Sequence, residues 1–296
     1  MEKILELHAL SKNYGRIKAV DQLSLEVEKG TVFGILGPNG SGKTTTLGML
    51  LGVTRPSAGS FSWFGGEQAE KAKKRIGSLL ETPNFYPYMT ARQNLKLVAK
   101  IKECKNPNIE EVLEQVKLLD RGDDKFKTYS LGMKQRLAIA SALLGDPDIL
   151  LLDEPTNGLD PRGIAEVRQL ILEIADRGTT VIMASHILAE VEKVCSHVAV
   201  LKKGVLKYSG LASELSGHLG KLVVAAADLE QLQNTLQEHP SIKQIERDGK
   251  VLVVLLQEKI DPASINRWLA EKNIHLNHLE QRQGSLEEGF LKLIDS

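Results

Sequence analysis

The stretch Gly37-Pro38-Asn39-Gly40-Ser41-Gly42-Lys43-Thr44 decides the fold. It fits the pattern G-x-x-x-x-G-K-[ST] and lies between an apolar run, Thr31–Leu36, and a helix-forming run, Thr44–Leu51. A strand that turns through glycines into a helix can cradle phosphates. The glycines let backbone N–H groups curl round the anion with no Cβ in the way, and the helix presents its positive end to the same charge. In this reading Lys43 reaches the β- and γ-phosphates and Thr44 offers a hydroxyl to Mg²⁺. Gly37, Pro38, Asn39, Gly40, Ser41, Gly42, Lys43, Thr44 and Thr45 then form the nucleotide-contacting set. The bland alternative is a Gly-rich turn that binds nothing, which leaves the flanking strand and helix unexplained.

Further along, Ile149-Leu150-Leu151-Leu152-Asp153-Glu154 places two acids at the end of a buried strand. Asp153 can hold the shell of a Mg²⁺ ion, and Glu154 can take a proton from an attacking water. A strand that merely ends in solvated acids is the plainer reading. The runs Ile149–Leu152 and Thr179–Ala184 bracket a helix near Gly163–Ala175. Strand–helix–strand crossovers build parallel sheets. Early strands are expected at Ile4–Leu7 and Leu23–Val27, helices at Asn94–Lys102, Ile109–Leu119 and Leu131–Leu144, and a hairpin at Val198–Lys202 and Val205–Tyr208. The fold class is therefore α/β.

At about residue 217 the texture changes. The tail reads strand (Leu222–Ala227), helix (Leu229–His239), strand (Ile242–Arg247), an Asp248-Gly249 turn, strand (Val251–Leu256), helix (Pro262–Lys272), strand (Ile274–Leu279) and a final helix, Leu286–Ile294. That order, βαββαβ, is the ferredoxin-like arrangement. Two domains are expected, 1–217 with a helical subdomain at about 82–145, and 218–296. A chain of 296 residues fits two domains of ~100–200 residues each.

Composition narrows the class. With 42% hydrophobic and 26% charged residues the chain can bury a core. Lys+Arg and Asp+Glu are both 38, which speaks against nucleic-acid binding through a broad basic surface. The longest aliphatic runs, such as Val251–Leu256, fall far short of the ~20 residues of a membrane-spanning helix. The N-terminus lacks the apolar core of a secretory signal. Cys104 and Cys195 share no metal or redox spacing, as expected of a protein in a reducing cytosol.

The order of motifs resembles an ATP-binding cassette (ABC) ATPase over about residues 1–215. Between the loop and the acid pair lies Tyr129-Ser130-Leu131-Gly132-Met133-Lys134-Gln135-Arg136. It is similar to the family signature LSGGQ followed by x-Q-R. Ser130 and Gly132 match, whereas Tyr129, Leu131 and Met133 depart from it. The resemblance implies that Ser130, Leu131, Gly132 and Met133 open a helix facing the γ-phosphate held by a second subunit, again a helix-start anion site. It implies that Tyr14, in Lys12-Asn13-Tyr14-Gly15, stacks on adenine. Asp160, in Gly158-Leu159-Asp160, would belong to a loop crossing the dimer interface, and His186 would be the switch histidine near the γ-phosphate. Each has an ordinary alternative: a Ser-capped helix, a surface aromatic, an Asn-Gly turn and a structural histidine.

Glu81 stands where the family normally has a glutamine contacting the Mg²⁺ shell and the attacking water, a choice similar to the ATPases of bacitracin and lantibiotic-resistance exporters. The resemblance gives Glu81 both a catalytic and a metal-shell place. Phe85-Tyr86-Pro87-Tyr88-Met89 follows, an aromatic cluster in a chain only 4% aromatic. Family geometry sets it beside the groove for a membrane subunit. Together these imply an ATP- and Mg²⁺-dependent transport ATPase of the ABC-2 export type. It would work as a homodimer on separate transmembrane permease subunits, peripheral on the cytoplasmic face of the membrane. The alternatives are an ABC-type ATPase without a membrane partner, or a small-molecule kinase sharing only the phosphate loop.

Overall fold

The computed structural model describes residues 2–80, 84–216, 221–257, 260–282 and 285–295. It divides into two compact units, Met1–Leu211 and Ala212–Ser296.

The first unit opens with β1 (Lys3–Tyr14) and β2 (Ile17–Glu28), followed by β3 (Val32–Leu36), α1 (Lys43–Leu50), β4 (Ala58–Trp63), α2 (Ala69–Lys74) and β5 (Ile76–Leu79). The helical segment holds α3 (Ala91–Ile101), α4 (Ile109–Gln115) and α5 (Leu131–Leu143). The chain returns through β6 (Ile149–Asp153), α6 (Pro161–Asp176), β7 (Thr180–Ser185), α7 (Leu188–Val194), β8 (His197–Lys202) and β9 (Val205–Leu211). The main sheet has the order β5-β6-β7-β3-β8-β9. It is parallel from β5 through β8, with β9 antiparallel at the edge. A second sheet, β2-β1-β4, is antiparallel.

Every residue of β3, β6 and β7 is buried. This is why their sequences are unbroken apolar runs rather than alternating ones. Each fully buried Leu, Ile or Val contributes about 1.5–3 kcal/mol, so these strands form a rigid floor whose carboxyl ends face one way. Loops leave a parallel sheet from that edge, and ligands bind there.

β1 and β2 each run twelve residues, well past the expected Ile4–Leu7 and Leu23–Val27. Irregularities hid the pattern. Ala9 and Gln22 have φ of 48° and 51°, and the ladder shifts register around them. The Ser24 hydroxyl accepts the Ala9 amide and the Ser11 hydroxyl accepts the Gln22 amide, both at 2.9 Å. Side chains thus satisfy amides that the ladder drops.

The second unit comprises α8 (Ala212–Leu215), β10 (Lys221–Ala226), α9 (Leu229–Gln237), β11 (Ile242–Asp248), β12 (Val251–Leu256), α10 (Pro262–Glu271), β13 (Leu276–Arg282) and α11 (Leu286–Asp295). Its antiparallel sheet has the order β11-β12-β10-β13. The βαββαβ order of the tail is the one read from the sequence. Alternate residues Leu222, Val224, Leu252, Val254 and Leu256 face Leu232 and Leu236 of α9 and Ile265 and Leu269 of α10. The unit therefore encloses its own core. The division falls ahead of the expected boundary near 217 because α8 packs against α11. Gly289 lies so close to the Leu215 carbonyl that any Cβ there would collide with it.

Candidate active site

The phosphate-loop stretch spans the turn between β3 and α1. Gly42 has φ 105°, and a Cβ on it would run into the Ala19 carbonyl of β2, so only glycine fits. The same contact seats the β1–β2 hairpin on the loop. Tyr14, at the hairpin tip and half exposed, is carried along with it. Lys12 Nζ lies 5.0 Å from the Tyr14 ring centroid and donates to the Arg55 carbonyl. At Gly40 a Cβ would meet nothing within 4 Å, so the loop presents bare backbone to open space. No side chain caps the start of α1. The buried Ser41 hydroxyl has no hydrogen-bond partner among the described residues. These are the donors a polyphosphate requires.

Lys43 is buried, with Nζ donating to the Gly37 carbonyl at 2.8 Å and lying 3.6 Å from Glu154 Oε1. Glu154 follows the end of β6. Its amide donates to the Ala184 carbonyl of β7 at 2.9 Å, and its φ is 48°. A non-glycine residue in that region costs about 1–3 kcal/mol and persists only where its surroundings enforce it. Here the turn aims the carboxylate across the sheet edge. Glu154 Oε2 lies 2.8 Å from His186 Nδ1 and also accepts the His186 amide at 3.3 Å. Residues far apart in sequence thus converge: a cation at the start of α1, a carboxylate after the end of β6 and an imidazole after the end of β7. Asp153 is buried beside them at the last position of β6, and Thr44 is exposed on the first turn of α1. A carboxylate and a hydroxyl are hard oxygen donors suited to Mg²⁺.

A second groove, about 500 Å³, is lined by Ser130–Met133 and by Gly158–Asp160. Ser130 caps α5, its hydroxyl accepting the Met133 amide at 3.3 Å. Asp160 caps α6, its carboxylate accepting the Gly163 amide at 2.9 Å. Leu131 is half exposed, and its Cδ2 lies 3.5 Å from where a Cβ on Gly158 would stand. The departure from the glycine of the signature therefore fits locally against a residue with no side chain.

Comparison with known proteins settles the lineage. A family profile described as ABC transporter matches residues 20–157. The bacitracin transport ATP-binding protein BcrA of Bacillus licheniformis is 40% identical over 99% of this chain and 98% of its own length. The chain belongs to the ABC transporter ATP-binding family. The Nod factor export ATP-binding protein I of Cupriavidus metallidurans is 35% identical over 99% of this chain and 98% of its own. A dimeric ATP-binding cassette in a post-hydrolysis state, bound to ADP and Pi, superposes with a TM-score of 0.61 at 25% identity, covering 70% of this chain and 98% of that one. As an ABC ATP-binding protein the chain is an ATPase, hydrolysis being the characteristic activity of these domains.

Other expected positions of this ABC chain fall as follows. Glu81 lies outside the described residues. Tyr86 and Tyr88 are exposed, with ring centroids 5.8 Å apart. Beside them a cavity of about 390 Å³ is lined by Phe85, Tyr86, Asn94, Leu97, Val98 and Ile101. Asn94, which the sequence reading passed over, organises this surface. It is buried, accepts the Tyr86 amide at 2.9 Å and donates toward the carbonyls of Tyr86, Met89 and Thr90. A lone Asn inside an amphipathic helix was the available signal. The pairing of Lys43 with Glu154 had no local signal at all.

Proposed function

We propose that this ATPase is the nucleotide-binding subunit of an exporter. Two copies sandwich two ATP molecules and drive separate transmembrane permease subunits from the cytoplasmic face of the membrane. The observation that carries the reading is the convergence of Lys43, at the start of α1, with Glu154 and His186, just beyond the carboxyl ends of β6 and β7. The full-length likeness to transport and export ATP-binding proteins, tail included, supports the transport part. Among the described residues no helix is long and apolar enough to cross a membrane.

The geometry supports the following roles. Lys43 leaves Glu154 for the β- and γ-phosphates, and the backbone of Gly37–Thr45 wraps the same anion. Glu154, freed toward the γ-phosphate, takes a proton from the attacking water. His186 orients Glu154 through the Oε2 contact. Thr44 and Asp153 would hold Mg²⁺, which when bound supplies neutralisation of the triphosphate charge. Glu81 is assigned to the same metal shell and water on its sequence position alone. Ser130–Met133 and Asp160 of one copy complete the site of the other. Both Glu154 and His186 are present, so each site of a homodimer has its own hydrolytic groups.

Tyr14 stacks on the adenine ring in this reading. Tyr14→Ala should weaken ATP binding roughly tenfold, given ~1–3 kcal/mol for stacking on an aromatic ring, while inorganic triphosphate binding stays unchanged. Competition titrations read both. The aromatic surface around Tyr86 receives the permease. Asn94→Ala removes the bonds that shape it, which costs about 1–3 kcal/mol. The purified variant should keep its ATPase activity, whereas vesicles reconstituted with the membrane subunit should lose transport. If Asn94→Ala vesicles transport normally, this surface is not where the permease docks.

A further inference from the structure

α6 and α7 each follow a segment that the proposed cycle uses. Asp160 caps α6. His186 stands just before α7, in a turn closed by the Ile187 amide donating to the Ser185 hydroxyl at 3.0 Å. One ion pair joins these helices: Arg168 Nη1 lies 2.9 and 3.2 Å from the two carboxylate oxygens of Glu190. Glu190 is buried at 8% exposure. Lys193 Nζ stands 3.6 Å from Glu190 Oε1, so two cations face one carboxylate.

Stability alone is a weak reason for such a pair. Its attraction must offset the desolvation of both charges, and apolar residues of similar volume often serve as well or better. What a charged pair supplies is register. Here a single guanidinium nitrogen, Nη1, is shared between both carboxylate oxygens, a charge-assisted contact that depends on relative placement, whereas apolar side chains tolerate repacking. On its other side α6 is tied to α5 by Arg136 Nη2, 3.6 Å from Glu166 Oε2. Arg136 Nη1 also donates to the carbonyls of Val116 and Lys117 at 2.9 and 3.2 Å. α6 thus stands between the helix that Ser130 opens and the turn that carries His186, with a charged contact on each side.

We propose that the Arg168–Glu190 pair is a positioning element for ATP hydrolysis: it fixes α7, and with it the His186 imidazole against Glu154, to the helix that Asp160 caps. The proposal rests on the assignment of Glu154 and His186 as the hydrolytic pair. α7 has only seven residues and begins two residues after His186, so a slide of α7 along α6 moves the ring away from Glu154 Oε2. Displacing a group at the chemistry by ~1 Å can cost up to 10²-fold in rate. Arg168 and Glu190 touch no reacting atom and act through His186.

The test is steady-state ATPase kinetics of the full chain carrying Glu190→Gln or Arg168→Lys, each alone and combined with His186→Ala. Glu190→Gln should lower kcat roughly tenfold and leave KM for ATP nearly unchanged. Arg168→Lys keeps the charge, shortens the reach to Glu190, and should fall less; it also serves if Glu190→Gln fails to fold. In the His186→Ala background neither should lower kcat further, because residues acting through one group are not additive. An unchanged kcat in the single variants, or an equal further fall in the His186→Ala background, overturns the proposal and leaves the pair structural. An unchanged kcat in His186→Ala itself instead overturns the assignment on which the proposal rests.

Discussion

Lys43→Ala should abolish hydrolysis and weaken ATP binding by roughly a hundredfold, the upper end of what a charged hydrogen-bond donor contributes. Lys43 is the buried cation of the loop, and its ammonium is already held by the Gly37 carbonyl and faced by Glu154. Alanine leaves the phosphate charge uncompensated and removes the counter-ion of Glu154, whose carboxylate then repels the γ-phosphate. Calorimetric titration with ATP and a phosphate-release assay check this, with thermal unfolding to confirm a folded chain. Affinity and turnover equal to those of the unmodified protein would remove the phosphate-loop assignment.

Glu154→Gln should separate binding from chemistry. Glutamine keeps the shape and can still meet His186, yet it takes no proton. Hydrolysis should fall by roughly 10²–10⁴-fold. ATP should bind at least as well, because a carboxylate near the γ-phosphate is replaced by a neutral amide. With hydrolysis blocked, the ATP-held dimer should accumulate and elute earlier in size-exclusion chromatography with MgATP. A variant that hydrolyses at the normal rate and stays monomeric would refute both the base and the sandwich.

Much of this was legible in the residues. Gly37–Thr44 and Ile149–Glu154 reveal strand and turn, because the glycines and the apolar run that build them are local in the sequence, and the chemistry proposed for them rests on the same residues. The tail was legible because Leu222–Ala226 and Val251–Leu256 pair across one core whose other half comes from amphipathic helices. What stayed hidden depends on distance along the chain. Ala9 and Gln22 break the alternation of β1 and β2, and the serines that repair the break sit on the neighbouring strand. β4 reads AGSFSW, too rich in Gly and Ser to look like a strand, and is held by pairing with β1. The unit boundary moved because Gly289 receives Leu215. In the site, each participant was visible as a residue type. The meeting of Lys43 with Glu154, and of Arg168 with Glu190, is a product of sheet order and helix packing that no local pattern encodes.

In the proposed dimer each catalytic site joins the phosphate loop of one copy to the Ser130–Met133 turn of the other. Complementation tests it directly. Gly132→Asp sets a negative charge where the γ-phosphate would face the start of α5. The fold should tolerate it, since a Cβ at Gly132 meets nothing nearer than Gly163 Cα at 4.0 Å. Lys43→Ala and Gly132→Asp chains should each be inactive alone. In a dimer of one chain of each kind, one site carries both defects and the other carries neither. Random pairing makes half of the dimers mixed, each with one good site of two, so an equal mixture should recover about a quarter of the unmodified ATPase activity. A mixture no more active than its separate components, with both chains folded and dimeric, would contradict the shared site.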